Sequence, residues 1–498
     1  MREYFFNYKE NEIIQFFQYC YIHKKDYYPK KSIQEALNIS EYRYKAIGHS
    51  VEEIKAQYPT FDFNYDKHGL SIRFSKEFLL LKVYILLFKE TVGFKFLLSI
   101  YKEEFQNLSH FSESVHMHQQ SVLPKLKPVR MLLGAYSLEY LLFKKKINGE
   151  EYRVRHFFFE LFWHLHDEKE PIIPEYPESF QALATMIHRY LPMHSREDIR
   201  RLYLFMKITQ HRMNHGHTIT SLPTTITEVR SPLITYDVFK QQIQSKEITS
   251  RFFKKTLNET ELNYLYYVFT VVPTYTYHEK NELPSFRGFY TEEYQELERS
   301  IFDQLFQQTE RQLTGQQEVF LSLNMIYRVT YFLSYGSDNY VPPYSDLEYF
   351  YYSDPTKDHY FKIVDKIISQ IPLKEEKWQR IFNSQSFRFS LFQLVSWVLE
   401  EQLDSVKVAI LTKYGKLHKT ELVRYLTKLN PRPIEVVEYD EYPEIIFCDF
   451  PLKEGQEINP KAEIYFIGVK PTPLQWLEIV NFVDSFRTKK QFGHLMKE

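Results

Sequence analysis

Residues 32–74 read SIQEALNISEYRYKAIGHSVEEIKAQYPTFDFNYDKHGLSIRF, and this stretch decides the fold of the first part of the chain. Ser32 with Glu35 three residues later has the pattern of a capping box, so a short helix is predicted to begin at Ser32. A tight break then ends at Ser40, which can cap a second helix. Residues 61–74 alternate between apolar and polar side chains around a Lys-His-Gly turn, which predicts a β-hairpin. Two helices separated by a tight turn and followed by a hairpin are typical of a winged helix-turn-helix.

The same order of elements recurs further along the chain. Residues 76–90 and 94–105 predict two apolar helices. A third helix is predicted over residues 112–126, capped by its first serine. Residues 136–152 predict a second hairpin with its turn at Ile147-Asn148-Gly149, because Asn-Gly is a strong hairpin signal. The first part of the chain therefore predicts two winged helix-turn-helix units in tandem.

The remainder of the chain predicts two helical blocks and a small α/β domain. The proline-rich run EPIIPEYP at residues 170–177 marks a linker between the winged units and the first block. Near the C-terminus the hydrophobic period changes, and the pattern β-α-β-β-β-α predicts a partly parallel sheet. The predicted domains are two winged units at residues 1–75 and 76–170, two helical blocks at 178–272 and 288–400, and the α/β domain at 404–498.

The composition excludes several classes of protein. The 498 residues include 63 Lys+Arg, 64 Asp+Glu, 13 Gly and 2 Cys. So few glycines, with neither a G-x-G-x-x-G nor a Walker A run, argue against a dinucleotide-binding or P-loop enzyme. Two cysteines, Cys20 and Cys448, cannot build a disulfide scaffold and suit a reducing compartment. No signal peptide or membrane-spanning run is evident, so we expect a cytoplasmic protein.

Charge is distributed unevenly along the chain. Residues 1–160 carry 24 Lys+Arg and 19 Asp+Glu, an excess of five positive charges. Residues 161–498 carry 39 and 45, an excess of six negative charges. A basic first third that also has the pattern of a nucleic-acid-binding fold indicates a polyanionic partner.

This order of domains resembles the Mga/AtxA-type family of bacterial virulence and transcription regulators. In that family the helical blocks resemble phosphotransferase-system (PTS) regulation domains, called PRDs, and the last domain resembles the PTS IIB phosphocarrier. Locally, Ser112-Glu113-Ser114 opens the second recognition helix, and GEEYRVR at residues 149–155 is similar to the G-E-x-x-I-R-type stretch after the second wing. The resemblance implies a mainly α, multidomain fold and a DNA-binding transcription activator associated with the nucleoid. It also implies a homodimer formed through the IIB-like domain and the bundles.

The candidate DNA-binding side chains lie on the two predicted recognition helices and the second wing. Such a helix seats its apolar face on its own domain and directs hydrogen-bonding side chains into the major groove. Gln can bond adenine and Arg can bond guanine, whereas Ser and Lys suit phosphates. The alternative is that these are ordinary solvated helix faces. The candidates are Ser40, Tyr42, Arg43, Lys45, Ser112, His116, Gln119, Gln120, Lys125, Lys144, Lys145 and Lys146.

Histidines of the first helical block are candidates for regulatory phosphorylation. PTS regulation domains are controlled at histidines, where a phosphoryl group adds negative charge at a bundle interface. The comparable antiterminators carry a His six residues before an Arg, but Met206 occupies that position here, counted back from Arg212. His211 and His215 are the nearest substitutes. The competing interpretation is that both are exposed histidines at a helix end.

No catalytic or metal-binding constellation is evident, so we expect neither an enzyme nor a cofactor. The His-x-His pairs place two side chains on different helix faces, and no further ligand completes a metal site. A working IIB domain carries a nucleophilic Cys after its first strand, where this chain has Thr412. The PTS phosphocarrier protein is a further possible partner. The alternative function is a phosphoacceptor or scaffold of the sugar phosphotransferase system that acts through protein contacts.

Overall fold

The computed structural model describes residues 5–142, 145–167, 170–190, 195–253, 256–273, 275, 292–335, 358–371, 375–402, 404–430, 432–450, 459–468 and 471–492. The protein is mainly α-helical with a small parallel sheet near the C-terminus, as the sequence predicts. The chain divides into two compact units. The first comprises Met1–Thr274 with Leu333–Val341, and the second comprises Tyr275–Phe332 with Pro342–Glu498.

The helices of the first unit begin with α1 and end with α14. In chain order they are α1 (Tyr8–His23), α2 (Lys30–Leu37), α3 (Glu41–Gln57), α4 (Leu80–Glu90), α5 (Val92–Tyr101), α6 (Leu108–Ser114), α7 (Gln119–Ala135), α8 (Glu151–His164), α9 (Pro177–Tyr190), α10 (Arg196–Asn214), α11 (Thr224–Thr227), α12 (Tyr236–Ile243), α13 (Lys246–Phe252) and α14 (Glu259–Val271). Its strands are β1 (Tyr28–Pro29), β2 (Phe61–Tyr65), β3 (Gly69–Phe74), β4 (Glu139–Leu141) and β5 (Lys146–Asn148).

The first winged unit consists of α1, α2, α3 and a three-stranded antiparallel sheet in the order β1-β3-β2. Ser40 caps α3 by accepting a hydrogen bond from the Arg43 amide, as predicted. The cap predicted at Ser32 is wrong, because α2 already begins at Lys30, directly after β1 pairs with β3. α3 sits close to the hairpin, since a Cβ on Gly48 would lie 2.5 Å from the ring of Tyr65.

The second winged unit repeats this order with α5, α6, α7 and the β4–β5 hairpin. The helix predicted over residues 112–126 is wrong in its start. Asn107 caps α6 instead, and that helix contains Ser112. The chain then turns through His116, which has a φ of 54°, before α7 begins at Gln119. The candidate recognition helix of this winged unit is therefore α7.

The turn of the second wing also differs from the prediction. Asn148 is the last residue of β5 and Gly149 follows it, so this pair lies at the end of the wing, before α8, rather than at the tip of the hairpin. Gly149 has a φ of 137°, and a Cβ there would lie 2.5 Å from Leu138. The glycine is thus explained by the backbone conformation and the close contact that the entry into α8 requires. Residues 143 and 144, which follow β4 in the chain, lie outside the described residues.

In the described part of the second unit, five helices precede an α/β domain. The helices are α15 (Glu292–Thr309), α16 (Gly315–Tyr335), α17 (Asp358–Gln370), α18 (Glu376–Asn383) and α19 (Gln385–Glu401), with the last three residues of α16 assigned to the first unit. The α/β domain comprises β6 (Val406–Leu411), α20 (Lys416–Leu429), β7 (Ile434–Val436), β8 (Ile445–Cys448), β9 (Glu463–Phe466) and α21 (Pro473–Phe492).

The sheet of the α/β domain has the order β7-β6-β8-β9, and all of its pairings are parallel. A partly parallel sheet was expected, so the structure is more regular than predicted. Alternate residues of β6 and β8, including Val408 and Phe447, pack against Leu422 of α20 and Val483 of α21. Among the described residues, no helix is long and apolar enough to cross a membrane.

Candidate nucleic-acid interface

The first recognition helix, α3, places its predicted residues at its N-terminal end, but one of them is already engaged. Tyr42 is 81% exposed, and Lys45 is exposed beside Glu41. The Arg43 guanidinium lies 3.1 Å from a Glu12 oxygen and 3.8 Å from the centre of the Tyr8 ring. Arg43 therefore ties α3 to α1 and is not free to reach a base without breaking those contacts.

The exposed face of α3 also carries acidic side chains. Glu41 lies 2.6 Å from Lys30, and the hydrogen bond from this lysine lowers the pKa of Glu41. Glu52 and Glu53 are exposed further along the same helix. Because these carboxylates offset Lys45, α3 presents no net positive surface to a phosphate backbone.

The second candidate recognition helix, α7, differs from α3 because its exposed surface carries cations without acidic side chains. Val122, Val129, Leu132 and Leu133 are buried and seat the helix on its domain. Its exposed residues include Gln119 and Gln120 in the first turn and three cations further on. The cations are Lys125, Lys127 and Arg130.

No acidic residue occurs between Glu113 and Glu139, so nothing on α7 itself offsets these charges. Within the described part of the chain, no ion pair is formed by Lys125, Lys127 or Arg130. Lys127 and Arg130 were not among the predicted contacts. The sequence signal was nevertheless present, since they follow Lys125 in a run of basic residues without any acid.

Two prolines lie inside α7, at Pro124 and Pro128. Proline has no backbone N–H, so the carbonyl groups of Gln120 and Pro124 lose their helical hydrogen-bond donors. The centre of the helix thus lacks two of its backbone hydrogen bonds, although α7 stays continuous from Gln119 to Ala135.

The remaining predicted residues fall into different environments. Ser112 is only 3% exposed, and its hydroxyl donates to the Leu108 carbonyl, so a phosphate contact by Ser112 is excluded by its burial. His116 is exposed in the turn before α7. Lys145 and Lys146 are exposed beside the wing, whereas Lys144 lies outside the described residues.

The histidines predicted for phosphorylation lie at the end of α10, next to the second winged unit. The His211 ring stacks on Tyr101, with ring centres 4.3 Å apart, and its Nε2 lies 2.6 Å from the Tyr101 carbonyl oxygen. A carbonyl only accepts, so Nε2 carries the proton and Nδ1 is the nitrogen with a free lone pair. Burial lowers the pKa of His211, and the Tyr101 carbonyl opposes this shift. His215 is exposed and donates from Nδ1 to the His211 carbonyl at 2.9 Å.

A network of buried ion pairs connects the same region. Arg155 is fully buried and donates to both carboxylate oxygens of Glu261, at 2.5 and 2.8 Å. Its Nε also donates to Glu151 at 3.1 Å, and Glu151 accepts two hydrogen bonds from Arg212, at 2.7 and 3.0 Å. Burial raises the pKa of Glu151, but Arg212 and Arg155 outweigh it, and the net shift is downward.

Glu103, just after α5, extends the network into the winged unit. Its carboxylate lies 3.4 Å from Arg212 and 2.8 Å from His217. The network therefore joins α8, α10 and α14 to the segment that follows α5. The GEEYRVR stretch was noted in the sequence, but its partners Glu261 and Arg212 lie far away in the chain and no local pattern identifies them.

In the α/β domain, the turn after β6 is closed by a carboxylate of the protein itself. Thr412 donates from its hydroxyl to Asp449 at 2.5 Å, and the Lys413 amide donates to the same carboxylate at 3.1 Å. Cys448 is buried in β8, and burial raises the pKa of its thiol. Among the described residues, no group of three or more His, Cys, Asp or Glu could hold a metal ion.

Comparison with known proteins gives one finding about this region. A family model described as the Mga helix-turn-helix domain matches residues 76–162, which include α7 and its wing. No curated protein matches the chain. The resemblance to Mga/AtxA-type regulators is thereby confirmed for this domain, which is a helix-turn-helix of a DNA-binding regulator family.

Proposed function

We propose that this protein is a transcription activator that binds promoter DNA through its two winged helix-turn-helix units, with α7 as the principal contact. The observation that carries the proposal is the exposed surface of α7, which has three cations and no acid, with Lys127 and Arg130 on the same side as Gln119 and Gln120. Such a face releases counterions from a phosphate backbone, which is the main source of nonspecific affinity for DNA. The match of residues 76–162 to a helix-turn-helix family supports the same conclusion.

The residues divide into two roles in this proposal. Gln119 and Gln120, at the N-terminal end of α7, would enter the major groove, where a Gln amide pairs with adenine. Lys125, Lys127 and Arg130 would contact phosphates, together with the wing lysines. α3 makes the weaker contact, through Tyr42 and Lys45, because Arg43 is held by Glu12 and Tyr8.

The test is a salt titration of DNA binding by the full-length protein. Duplexes are first selected from a random pool, and their affinity is then measured by fluorescence anisotropy at increasing salt. The triple variant Lys125→Gln, Lys127→Gln, Arg130→Gln should bind more than tenfold more weakly. The slope of log affinity against log salt should fall by about 2 to 3, since each lost phosphate contact removes about 0.9.

A matched control has the same change in charge but leaves the winged units intact. Lys413, Lys416 and Lys428 are exposed in the α/β domain, and their triple Gln variant should bind DNA like the unmodified protein. An equal loss of DNA affinity in both triple variants would mean that only the net charge of the protein matters, which contradicts a specific interface on α7. Unchanged affinity and slope in the α7 variant would also contradict it.

We infer further that histidine phosphorylation modulates this activity, with the PTS phosphocarrier protein as the donor. His211 supports the inference, because it contacts Tyr101 at the end of α5 and its Nδ1 is available. A phosphoryl group there would add about two negative charges beside Glu103, whose carboxylate holds Arg212 and His217. Repulsion would loosen the contact between α10 and the winged unit.

Incubation with labelled phosphoenolpyruvate and the general PTS proteins tests this inference. Label that reaches one group per chain and is lost in His211→Ala but retained in His215→Ala supports it. Absence of label contradicts it. Label without any DNA binding by the protein would instead support the alternative, a phosphoacceptor or scaffold of the sugar phosphotransferase system.

We also propose that the regulator acts as a homodimer associated with the nucleoid in the cytoplasm, assembled through its IIB-like α/β domain and its helical blocks, which correspond to PTS regulation domains. Ile464 and Phe466 support this, since both are exposed on β9, a strand that pairs only with β8 among the described residues. Two copies bound to one promoter would gain affinity through effective concentration. Sedimentation of the Ile464→Asp, Phe466→Asp variant should show a monomer, and an unchanged dimer would place the interface elsewhere.

A further inference from the structure

A cavity of about 450 Å³ lies against α7 in the second winged unit. Its walls come from α5, α7 and β4, and they include Phe96, Leu126, Leu133 and Leu142. The volume is within the range that small-molecule sites occupy in proteins. The cavity therefore has the size of a ligand site and a lining of both apolar and polar side chains.

One buried polar group in the wall lacks a hydrogen-bond partner. Tyr140 lines the cavity and is 8% exposed, and its hydroxyl bonds to no group among the described residues. Its ring packs edge-on against Phe96 and Phe105, with ring centres 4.9 and 5.7 Å apart. Burial raises the pKa of Tyr140, so the phenol keeps its proton and can donate. Leaving such a group unsatisfied is costly, and a ligand oxygen would remove that cost.

The charge at the cavity is positive. Lys127 and Arg130 both contribute to its lining, and both are exposed to solvent. Neither forms an ion pair within the part of the chain that the structure describes. The lining thus combines an apolar interior with two cations and one free hydroxyl donor, which is complementary to an apolar molecule that ends in an anion.

We propose that this cavity binds an amphipathic monocarboxylate whose apolar tail packs between Phe96, Leu126 and Leu133. The carboxylate takes Lys127 and Arg130 as its ionic partners and accepts the hydrogen bond that Tyr140 offers. A carboxylate has enough acceptor sites for all three donors. A phosphate without a tail would leave the apolar walls unfilled, and an alcohol would leave both cations unpaired.

The position of the cavity couples this ligand to DNA binding, a consequence that rests on the proposed function. Lys127 and Arg130 are also proposed phosphate contacts, so a bound carboxylate would compete with phosphates for both side chains and offset one of their two positive charges while α7 remains in place. The ligand should therefore weaken DNA binding and flatten its salt dependence. Thermodynamic linkage requires that DNA weakens binding of the carboxylate by the same factor.

The primary experiment uses no DNA, so its result is independent of the proposed function. The full-length protein is titrated calorimetrically with decanoate, and with decanol as the uncharged control, both below the concentrations at which they aggregate. Decanoate should bind saturably to one site and at least tenfold more tightly than decanol. Equal affinity for the two, or no saturable binding of decanoate, would overturn the proposal.

Variants test each part of the site separately. Lys127→Gln with Arg130→Gln should reduce the affinity for decanoate to that for decanol, and Tyr140→Phe should weaken decanoate several-fold. Leu126→Trp should fill the cavity and abolish binding of both ligands while thermal unfolding stays cooperative; if that variant does not fold, Leu126→Phe replaces it. Lys413→Gln is the control and should bind normally. If the variant with the larger side chain at position 126 still bound decanoate, the ligand would not occupy this cavity, and the proposal would be wrong.

A competition experiment then tests the coupling. Decanoate should release a selected duplex from the unmodified protein but not from the Leu126→Trp variant. Decanoate binding without any DNA binding by the protein would leave the site standing and refute the proposed function. DNA binding without decanoate binding would refute the carboxylate site and leave the proposed function standing.

Discussion

The buried pair of Arg155 and Glu261 is a residue contact with a large expected effect on stability. Arg155 is fully buried, and its guanidinium relies on Glu261 for two hydrogen bonds. Glu261→Gln removes the charge but keeps the shape, so it leaves a buried cation without its main counter-ion. We expect a loss of about 3–5 kcal/mol in the free energy of unfolding of the first unit, measured by urea denaturation.

The double variant Arg155→Met, Glu261→Leu provides the control for this prediction. It removes both charges together, and an apolar pair of similar volume often replaces a buried ion pair at little cost. The double variant should therefore be more stable than Glu261→Gln alone. If the double variant were less stable than Glu261→Gln, the ion pair would contribute net stability, and this would contradict the prediction.

Acid should destabilise the first unit through His164, which is partly buried. Burial lowers the pKa of His164 from 6.5 to about 4, and its Nε2 lies 3.0 Å from the Tyr84 hydroxyl. Because the pKa of His164 is lower in the folded state, its contribution to the free energy of unfolding is complete above pH 6.5. That contribution is lost as the pH falls through about 4. The free energy of unfolding lost in this way amounts to about 3 kcal/mol.

The His164→Gln variant isolates this effect. It can still hydrogen-bond to Tyr84 but does not titrate, so its stability should fall less steeply than that of the unmodified protein between pH 6.5 and 4. Urea denaturation at a series of pH values measures the two slopes. Parallel slopes would mean that His164 does not change its protonation on unfolding in this range.

Two serines show what a sequence can and cannot establish at the residue scale. Ser40 and Ser112 are each followed by a glutamate, and both were expected to cap a recognition helix. Only Ser40 does so, because Asn107 starts a helix earlier in the second winged unit and the neighbouring Phe111 is buried. Capping preferences are local, but the choice between two possible caps depends on which apolar side chains the tertiary structure buries.

At the scale of the element, α7 should become more stable when a proline is removed. Pro124 is exposed in the helix interior and denies a hydrogen bond to the Gln120 carbonyl. Pro124→Ala should restore this bond and raise the free energy of unfolding by about 1–2 kcal/mol, after allowing for the greater freedom of the unfolded chain. Amide exchange across α7 should slow. Faster exchange would show that packing depends on the proline.

The helices and the hairpin of the first winged unit followed from the sequence in type and order, whereas α6 and the hairpin turn of the second winged unit did not. The alternating pattern of the first hairpin is long, and Asp66 closes its turn by accepting hydrogen bonds from His68 and Gly69. In the second wing the strands are only three residues each, and the Asn-Gly signal belongs to the entry into α8. A turn motif fixes a local conformation, but long strands are needed to fix the register.

At the scale of the whole molecule, the predicted division into five domains remains a prediction, and the structure groups the chain into two units. One reason is that contacts such as Arg155–Glu261 join residues that the sequence assigns to different domains. The other is that Leu333–Val341 belongs to the first unit, although it follows a segment of the second. Neither feature has a periodic or local signal, since both depend on pairs of residues that are distant in the chain.

The return of the chain to the first unit leads to a prediction about Tyr335. This residue is 3% exposed, its ring stacks on His156 with centres 3.6 Å apart, and its hydroxyl donates to the Tyr264 hydroxyl at 3.3 Å. Tyr335→Ala should cost about 3–5 kcal/mol, as expected for removal of a buried aromatic ring. Hydrogen exchange should therefore accelerate in α8 and α14.

Tyr331→Ala is the matched control, because Tyr331 is buried one turn earlier in α16 but belongs to the second unit. It should accelerate exchange in the second unit instead, and identical exchange patterns in the two variants would contradict the division of α16 between the units.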